Sequence, residues 1–305
     1  QPSQPAAPTV LTGPVQPVGG PKRVVAVGKF DAVGSFKAQY GEWDIGGGMA
    51  AMLSTALVES NRFIVVERAN VQQILAEQEL KGQKLTAQGT GPELGKLIGA
   101  QYLIYGAITE FGAADSGGGL NIGLPKLGPV GLNLGTQGTK GSVAMDIRVV
   151  DTTTGELVHN FTVKEKIESS SLDVGVNFKQ MSFGGNQFNK TPLGETCRKC
   201  ITRAVDQFAG YASKSAWTGR VVEADGREVF INAGATSNIK VGDKFRVYRF
   251  SRILTDPDTG KVLSKREQDL GFVEIATVED KIASGFFTAS GADQPARGDM
   301  VGLVR

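Results

Sequence analysis

Few residue types in this chain could do covalent chemistry, and their spacing suits it poorly. Histidine occurs once, as His159, so a multi-histidine metal site is excluded and a serine–histidine–acid triad would have to use that one imidazole. No nucleophile with a partner accompanies His159, and its place in a strand pattern reads as structural. The two cysteines, Cys197 and Cys200, form a CxxC pair. A redox-active pair needs its first thiol at a helix N-terminus after a strand. Here both thiols fall on the apolar stripe of a helix, which favours core packing over a local disulfide, a metal pair or redox chemistry. Asp256-Pro257-Asp258-Thr259-Gly260-Lys261 ends like a nucleotide-binding P-loop. It lacks the leading glycine and the strand-to-helix setting, so a hairpin turn is expected. Gly46-Gly47-Gly48 ahead of a helix could cradle an anion, but flexibility or close backbone packing is the simpler reading. These residues predict no catalytic site, no metal, no cofactor and no enzyme.

The composition points elsewhere. The chain has 305 residues, 33 basic and 31 acidic, for a net charge of +2, so no basic surplus suggests nucleic acid as a partner. Glycine supplies 41 of the 305 residues, nearly twice the usual ~7%. Eleven of them fall within residues 106–141, without a collagen period. No run approaches the ~18–20 apolar residues of a membrane helix. A chain opening at Gln1 without a charged-then-apolar leader is expected to be cytosolic or a mature exported protein.

The elements that would position any site follow from the patterning. Residues 1–21, with six prolines, read as an extended tether. Arg23–Gly28 reads as a buried strand, Lys29–Trp43 as a polar loop, and Met49, Met52, Leu53, Ala56 and Leu57 recur at helical spacing. Phe63–Val66 is a second strand. Asn70 and Gln73 resemble a capping box for a helix burying Val71, Ile74 and Leu75. A short helix is expected after Pro92, with Leu94, Leu97 and Ile98 apolar and Gly99 as its stop. Strands are expected over Gln101–Ile108, Ser142–Asp151 and Glu156–Lys164, and a long helix from the Thr191-Pro192 cap pair to about Ser213. This order gives an α/β layer. After Trp217, short β patterns punctuated by turns predict a separate small β-barrel or sandwich over 216–305.

Two stretches alternate strictly. Leu120, Ile122 and Leu124 pair with Val130, Leu132 and Leu134 across the turn Pro125–Pro129, with Gly and Asn between them. Leu172, Val174, Val176 and Phe178 alternate with polar or small residues, and Gly184-Gly185 is the expected tip. Two hairpins per chain cannot close a barrel, and open strand edges cannot sit in lipid. The pattern therefore fits membrane insertion only if several copies pool their hairpins. A large soluble sheet is the other reading, and the absence of Phe, Tyr or Trp between Gly112 and Gly141 supports it.

Three stretches resemble the CsgG/HfaB family of outer-membrane secretion channels: Phe63–Arg68 with the Asn70 helix and its Leu75, Ala100–Ile108, and Asp146–Leu157 running into Thr162. The resemblance covers roughly residues 22–213. It implies an α/β periplasmic domain over 22–215 that lends two hairpins, about 112–142 and 165–190, to a shared oligomeric transmembrane β-barrel. It implies further that the chain partners itself, membrane lipid and an unfolded secreted polypeptide, with an accessory protein at the periplasm or surface. The family's pore narrows at a loop between the first strand and first helix, lined by Tyr, Asn and Phe. In this chain that loop is Gly34–Gly46. Phe36-Lys37 matches its lead-in, Tyr40 takes the Tyr place, Trp43 stands for Phe, and no Asn matches; Gln39 lies beside Tyr40, and Glu42 and Asp44 would add rings of negative charge. Family members begin with a lipidated cysteine, whereas no Cys precedes Cys197 here. The C-terminal β domain resembles those of flagellar T-ring proteins through Val241–Phe250 and Gly298–Val301.

Overall fold

The computed structural model describes residues 20–33, 44–83, 97–113, 141–167, 183–258 and 262–304. The first sheet contains β1 (Arg23–Ala32), β2 (Phe63–Val65), β3 (Tyr102–Ala113), β4 (Gly141–Asp151) and β5 (Leu157–Lys166), in the order β2-β1-β3-β4-β5. β1 runs parallel to β2 and β3, while β4 is antiparallel to both β3 and β5. Alternate residues of β4, Val143, Met145, Ile147 and Val149, are buried, as period-2 patterning requires of a sheet with one packed face.

Two helices cover that face. α1 (Ile45–Glu59) buries Met49, Leu53 and Leu57. α2 (Val71–Gly82) follows β2. The four-residue α3 (Asn186–Asn189) precedes α4 (Pro192–Lys214), which buries Leu193, Cys197, Cys200, Ile201, Ala204, Val205 and Phe208 on one stripe. Thr191 caps α4 by accepting from the Gly194 N–H at 3.0 Å, with Pro192 in its first turn. Phe208 stacks on Phe63 at 4.8 Å between ring centroids, and Tyr211 stacks on His159 at 4.4 Å. His159 is thus a packing residue on β5. Both cysteines are free and buried, and the Cys200 Sγ lies 3.7 Å from the Val143 carbonyl oxygen.

Several local expectations need correction. β1 reaches Ala32 because a bulge between Val27 and Phe30 breaks the alternation and returns Phe30 to the core. α1 begins at Ile45, not Met49, because the Asp44 carboxylate accepts from the Gly47 N–H at 2.9 Å and starts the helix there. Asn70 makes no side-chain cap; the Glu67 carboxylate accepts its N–H instead, at 3.1 Å. Val71, Ile74 and Leu75 are only half-buried. Of the helix expected after Pro92, Leu97–Ala100 are described and are not helical, and Leu97 and Ile98 are exposed; Pro92 and Leu94 lie outside the described residues.

From Thr218 the chain forms β6 (Thr218–Asp225), β7 (Glu228–Ile231), β8 (Lys244–Thr255), β9 (Val262–Val278), β10 (Ala283–Ala289) and β11 (Met300–Leu303). They close into a barrel in the order β10-β7-β6-β11-β8-β9, around Trp217, Val229, Phe245, Val273 and Phe287. Asp299 is buried and binds Arg249 through two bonds of 2.7 Å. Asp256-Pro257-Asp258 turns β8 toward β9, with the Asp258 N–H on the Asp256 carboxylate. The P-loop resemblance ends there.

Arg23 joins the two bodies. It is 5% exposed, and its guanidinium donates to the Pro21 and Ser215 carbonyls, each at 2.5 Å. Ser215 is the C-cap of α4, where the helix dipole favours a cation. Burial lowers the Arg23 pKa, and the charge persists because arginine starts above 12. The Lys22 N–H donates to Ser237 at 2.9 Å, and the Asn238 side chain donates to Gly20 at 3.0 Å. The expected tether over 1–21 therefore ends before Gly20, because Gly20 and Pro21 belong to this seam; residues 1–19 lie outside the described residues.

Burial pushes the Cys197 thiol far above its ordinary value and Cys200 up to about 12. At pH 8 both stay un-ionised in the native protein. A thiol reagent at that pH is expected to leave both unreacted until denaturant unfolds the chain, with the reaction tracking the unfolding transition. Rapid native-state modification would show that α4 does not pack against β4 and β5 as described.

Candidate functional site

Strand direction brings three connections to one end of the first sheet. β1 ends at Ala32, paired with Ile108 of β3, and the Val33 N–H donates to the Ile108 carbonyl at 3.0 Å. Residues 34–43 leave from there. β3 and β4 stay paired out to Ala113↔Gly141, where residues 114–140 leave. β4 and β5 stay paired out to Ser142↔Lys166, and the Ile167 N–H donates to Gly141 at 2.8 Å just before residues 168–182 leave. The antiparallel ladder is thus formed right up to the points where the two longer segments begin.

An aromatic plate anchors this end. Phe183 lies 5.8 Å from Phe111 of β3 and 4.8 Å from Phe188 of α3, centroid to centroid. Phe188 is fully buried. Gly48 of α1 sits directly against Phe183: a Cβ there would fall 1.9 Å from the ring. At Gly46 a Cβ would fall 2.0 Å from the Phe30 carbonyl oxygen. The triple glycine is therefore a close-packing device, and the N-terminus of α1 is already occupied by its own Asp44 carboxylate.

Beside the plate, Glu110 of β3 takes the Ser142 hydroxyl and the Lys164 ammonium, the latter at 2.6 Å. The hydrogen bond from Lys164, and then that from Ser142, hold the Glu110 carboxyl below the usual carboxylate range. This network ties β3, β4 and β5 together just short of where the segments depart. Among the described residues no cluster of His, Cys, Asp or Glu could hold a metal, and no helix is long and apolar enough to cross a membrane.

The sequence-predicted site residues divide sharply. Asp44 is described, exposed, and acts as the N-cap of α1. Phe36, Gln39, Tyr40, Glu42 and Trp43 lie outside the described residues. So do Leu120, Ile122, Leu124, Val130, Leu132 and Leu134, and Leu172, Val174, Val176 and Phe178. The expected hairpin limits change at their ends. Gly184-Gly185 is not a hairpin tip: it leads into α3, whose Phe188 is drawn into the core, so the second segment is bounded by Ile167 and Phe183 rather than by 165 and 190. At the first, Gly112, Gly141 and Ser142 belong to the sheet. Gly106 belongs there too, because a Cβ would fall 1.9 Å from the Asp146 carbonyl oxygen. That glycine serves strand packing.

The family comparison bears directly on this arrangement. The model of the family described as "Curli production assembly/transport component CsgG" matches residues 16–241. The chain belongs to the CsgG family. That is a transport and secretion family, not an enzyme family. The match runs past the first sheet and takes in β6 and β7. The Neisseria meningitidis protein named "Putative lipoprotein NMB1126/NMB1164" is 26% identical over 202 residues, which is 65% of this chain and 80% of that protein. The CsgG component of Salmonella typhimurium is 28% identical over 130 residues, 41% of this chain and 45% of that protein, so this CsgG-family chain spans under half of that relative. Among solved structures, protein CT253 of Chlamydia trachomatis is 14% identical, with 64% of this chain and 100% of that chain covered and a TM-score of 0.40.

Sequence reasoning missed the anchoring roles of Phe111 and Phe183 and the Glu110 network. The triple glycine was the one available signal, since it marks a place where something must approach the helix closely. Replacing Gly48 with Ala is expected to lower stability by about 1–3 kcal/mol, the usual cost of overpacking. In a Phe183→Ala background the same change should cost nearly nothing, because the ring it strikes is gone. Denaturant titration of the four proteins measures this, and equal costs in both backgrounds would refute the contact.

Proposed function

We propose that this CsgG-family chain is the protomer of a homo-oligomeric outer-membrane channel that passively exports unfolded protein subunits, with its α/β and barrel bodies in the periplasm. The observation that carries the reading is the shared exit of residues 34–43, 114–140 and 168–182 from one end of the sheet, two of them beside a running antiparallel ladder. A transmembrane strand needs ~9–11 tilted residues. The first segment, residues 114–140, supplies two such arms with a turn. Its alternation puts Leu120, Ile122, Leu124, Val130, Leu132 and Leu134 on the lipid side and Gly and Asn on the wet side. Closure then requires several copies, which agrees with a chain that partners itself. Residues 34–43 leave at the same end, so Phe36, Gln39, Tyr40, Glu42 and Trp43 would ring the entrance above the Asp44 cap. Export would proceed without nucleotide hydrolysis, the unfolded chain threading past aromatic and acidic side chains.

A second reading, a periplasmic ring or envelope scaffold without a pore, draws on one specific observation. Once Phe183–Lys190 is assigned to the folded body, residues 168–182 leave about seven residues per arm, fewer than the ~9–11 a spanning strand needs. The two readings part in one experiment. The channel predicts that detergent-purified protein images as a ring and conducts in planar bilayers. A ring that stays soluble without detergent and never conducts establishes the scaffold, and a monomer without conductance overturns both. For a conducting ring, replacing Tyr40 and Trp43 together with Ala is expected to raise the conductance per channel. An unchanged conductance would place the constriction elsewhere.

A further inference from the structure

Beyond the barrel proper, β8 and β9 continue as a two-stranded arm. Ser251–Thr255 and Val262–Glu267 are exposed along their whole length, where the core strands of the barrel alternate. An isolated two-stranded ribbon is marginal in water. This one nonetheless exposes Ile253, Leu254, Val262 and Leu263, the last to 65%. One face is specific. Arg252 stands directly across from Arg266, and Leu254 directly across from Ser264, so two arginines and a leucine share that face. Like charges directly opposed on neighbouring strands destabilise the pair. Among the described residues neither arginine has an ion pair, whereas Arg246 and Arg249 nearer the barrel are satisfied by Glu267, Asp269 and Asp299.

The complement to that face lies on the same chain, on the outer wall of the barrel. Phe286 of β10 is 61% exposed, and its register partners are Glu228 of β7 and Glu274 of β9. Phe272 of β9 is also exposed, with Thr288 of β10 as its partner, which places it diagonally beside Phe286. The wall thus presents two phenyl rings, with Glu228 and Glu274 on either side of Phe286 and, across β9 on β8, Lys244 beside Glu274 and Arg246 beside Phe272. Glu274 has Lys244 at 3.1 Å, both largely exposed, and Glu228 has no ion pair among the described residues. At Phe286 the wall sets an exposed ring between two carboxylates, and the arm sets Leu254 beside two arginines that have no ion pair among the described residues, which is a complementary arrangement.

We propose that the β8–β9 arm of one copy docks on the Phe272/Phe286 wall of the next copy, with Leu254 on the rings and Arg252 and Arg266 on Glu228 and Glu274. The contact joins two different surfaces, so it is heterologous and propagates head to tail, as a ring requires. It rests on the proposed function only in needing assembled copies; it holds with or without a pore.

The test uses full-length chains and leaves the docking residues intact. Ser264→Cys is placed in one chain and Thr288→Cys in another, the two are co-assembled, and a short bismaleimide is added. The native thiols do not compete, because Cys197 and Cys200 are buried. A covalent dimer is expected in the mixture and from neither variant alone. Glu228→Arg with Glu274→Arg in the Thr288→Cys chain should cut its yield at least tenfold, and Arg252→Glu with Arg266→Glu in the Ser264→Cys chain should restore it. A ring that gives no mixed dimer overturns the docking while leaving the channel reading intact. Dimers from Ser264→Cys alone also overturn it, since they report like surfaces meeting. Failure to assemble overturns both, whereas mixed dimers from a non-conducting ring leave the docking standing and remove only the channel.

Discussion

The architecture depends on β4 having an antiparallel neighbour on each side. Because β3 and β5 both run against it, the chain leaves β3 and leaves β5 at the same end of the sheet. Because β1 is parallel to β3, it too ends there. Three connections therefore begin at one end of the sheet. The Glu110–Lys164–Ser142 network and the Phe111–Phe183–Phe188 plate hold that end closed, one by charge-assisted hydrogen bonds and the other by packing. The α4 stripe holds the sheet from behind and so keeps β4 central.

Much of this was legible in the sequence where the signal is local. The strands β4 and β5, the Thr191-Pro192 start of α4 and its apolar stripe with Cys197 and Cys200 all depend on residues a few positions apart. Elements whose cause lies far away in the chain were not legible. Gly48 meets Phe183, and Phe188 enters the core beside them, contacts that no window of the sequence spans. Alternation over Leu172–Phe178 therefore pointed to Gly184-Gly185 as a hairpin tip, and the family likeness carried that hairpin to 190. The bulge that returns Phe30 to the core hid the far half of β1 in the same way. The capping of Asn70 failed for a smaller reason, since Glu67 was equally near and took its N–H. The pore-loop and hairpin side chains rest on alternation and family likeness alone.

The glycine surplus divides along the same line. Gly46, Gly48, Gly106 and Gly141 lie in the folded body at places where a Cβ would strike a neighbour. They are demanded by packing, and they sit at the exit end or on the strands leading to it. Gly123, Gly131 and Gly135 instead alternate with apolar residues in the sequence of the first expected hairpin. The composition anomaly thus joins glycines that packing demands to glycines that the proposed hairpin would use.

The two ends of the molecule are also held apart. α4 starts beside Phe188 at the exit end and finishes at Ser215, where Arg23 binds its last turn and the barrel begins. Its 23 residues span about 35 Å, and β1, running from the Arg23 seam toward the exit end, spans a similar length. Among the described residues, α4 and the first sheet thus connect the barrel to the exit end. A contact between neighbouring barrels would set the spacing of copies without crowding the exits, and the exits could then meet under constraints of their own. The seam at Arg23 itself asks little of the side chains around it, because it uses the backbone carbonyls of Pro21 and Ser215, which any sequence provides.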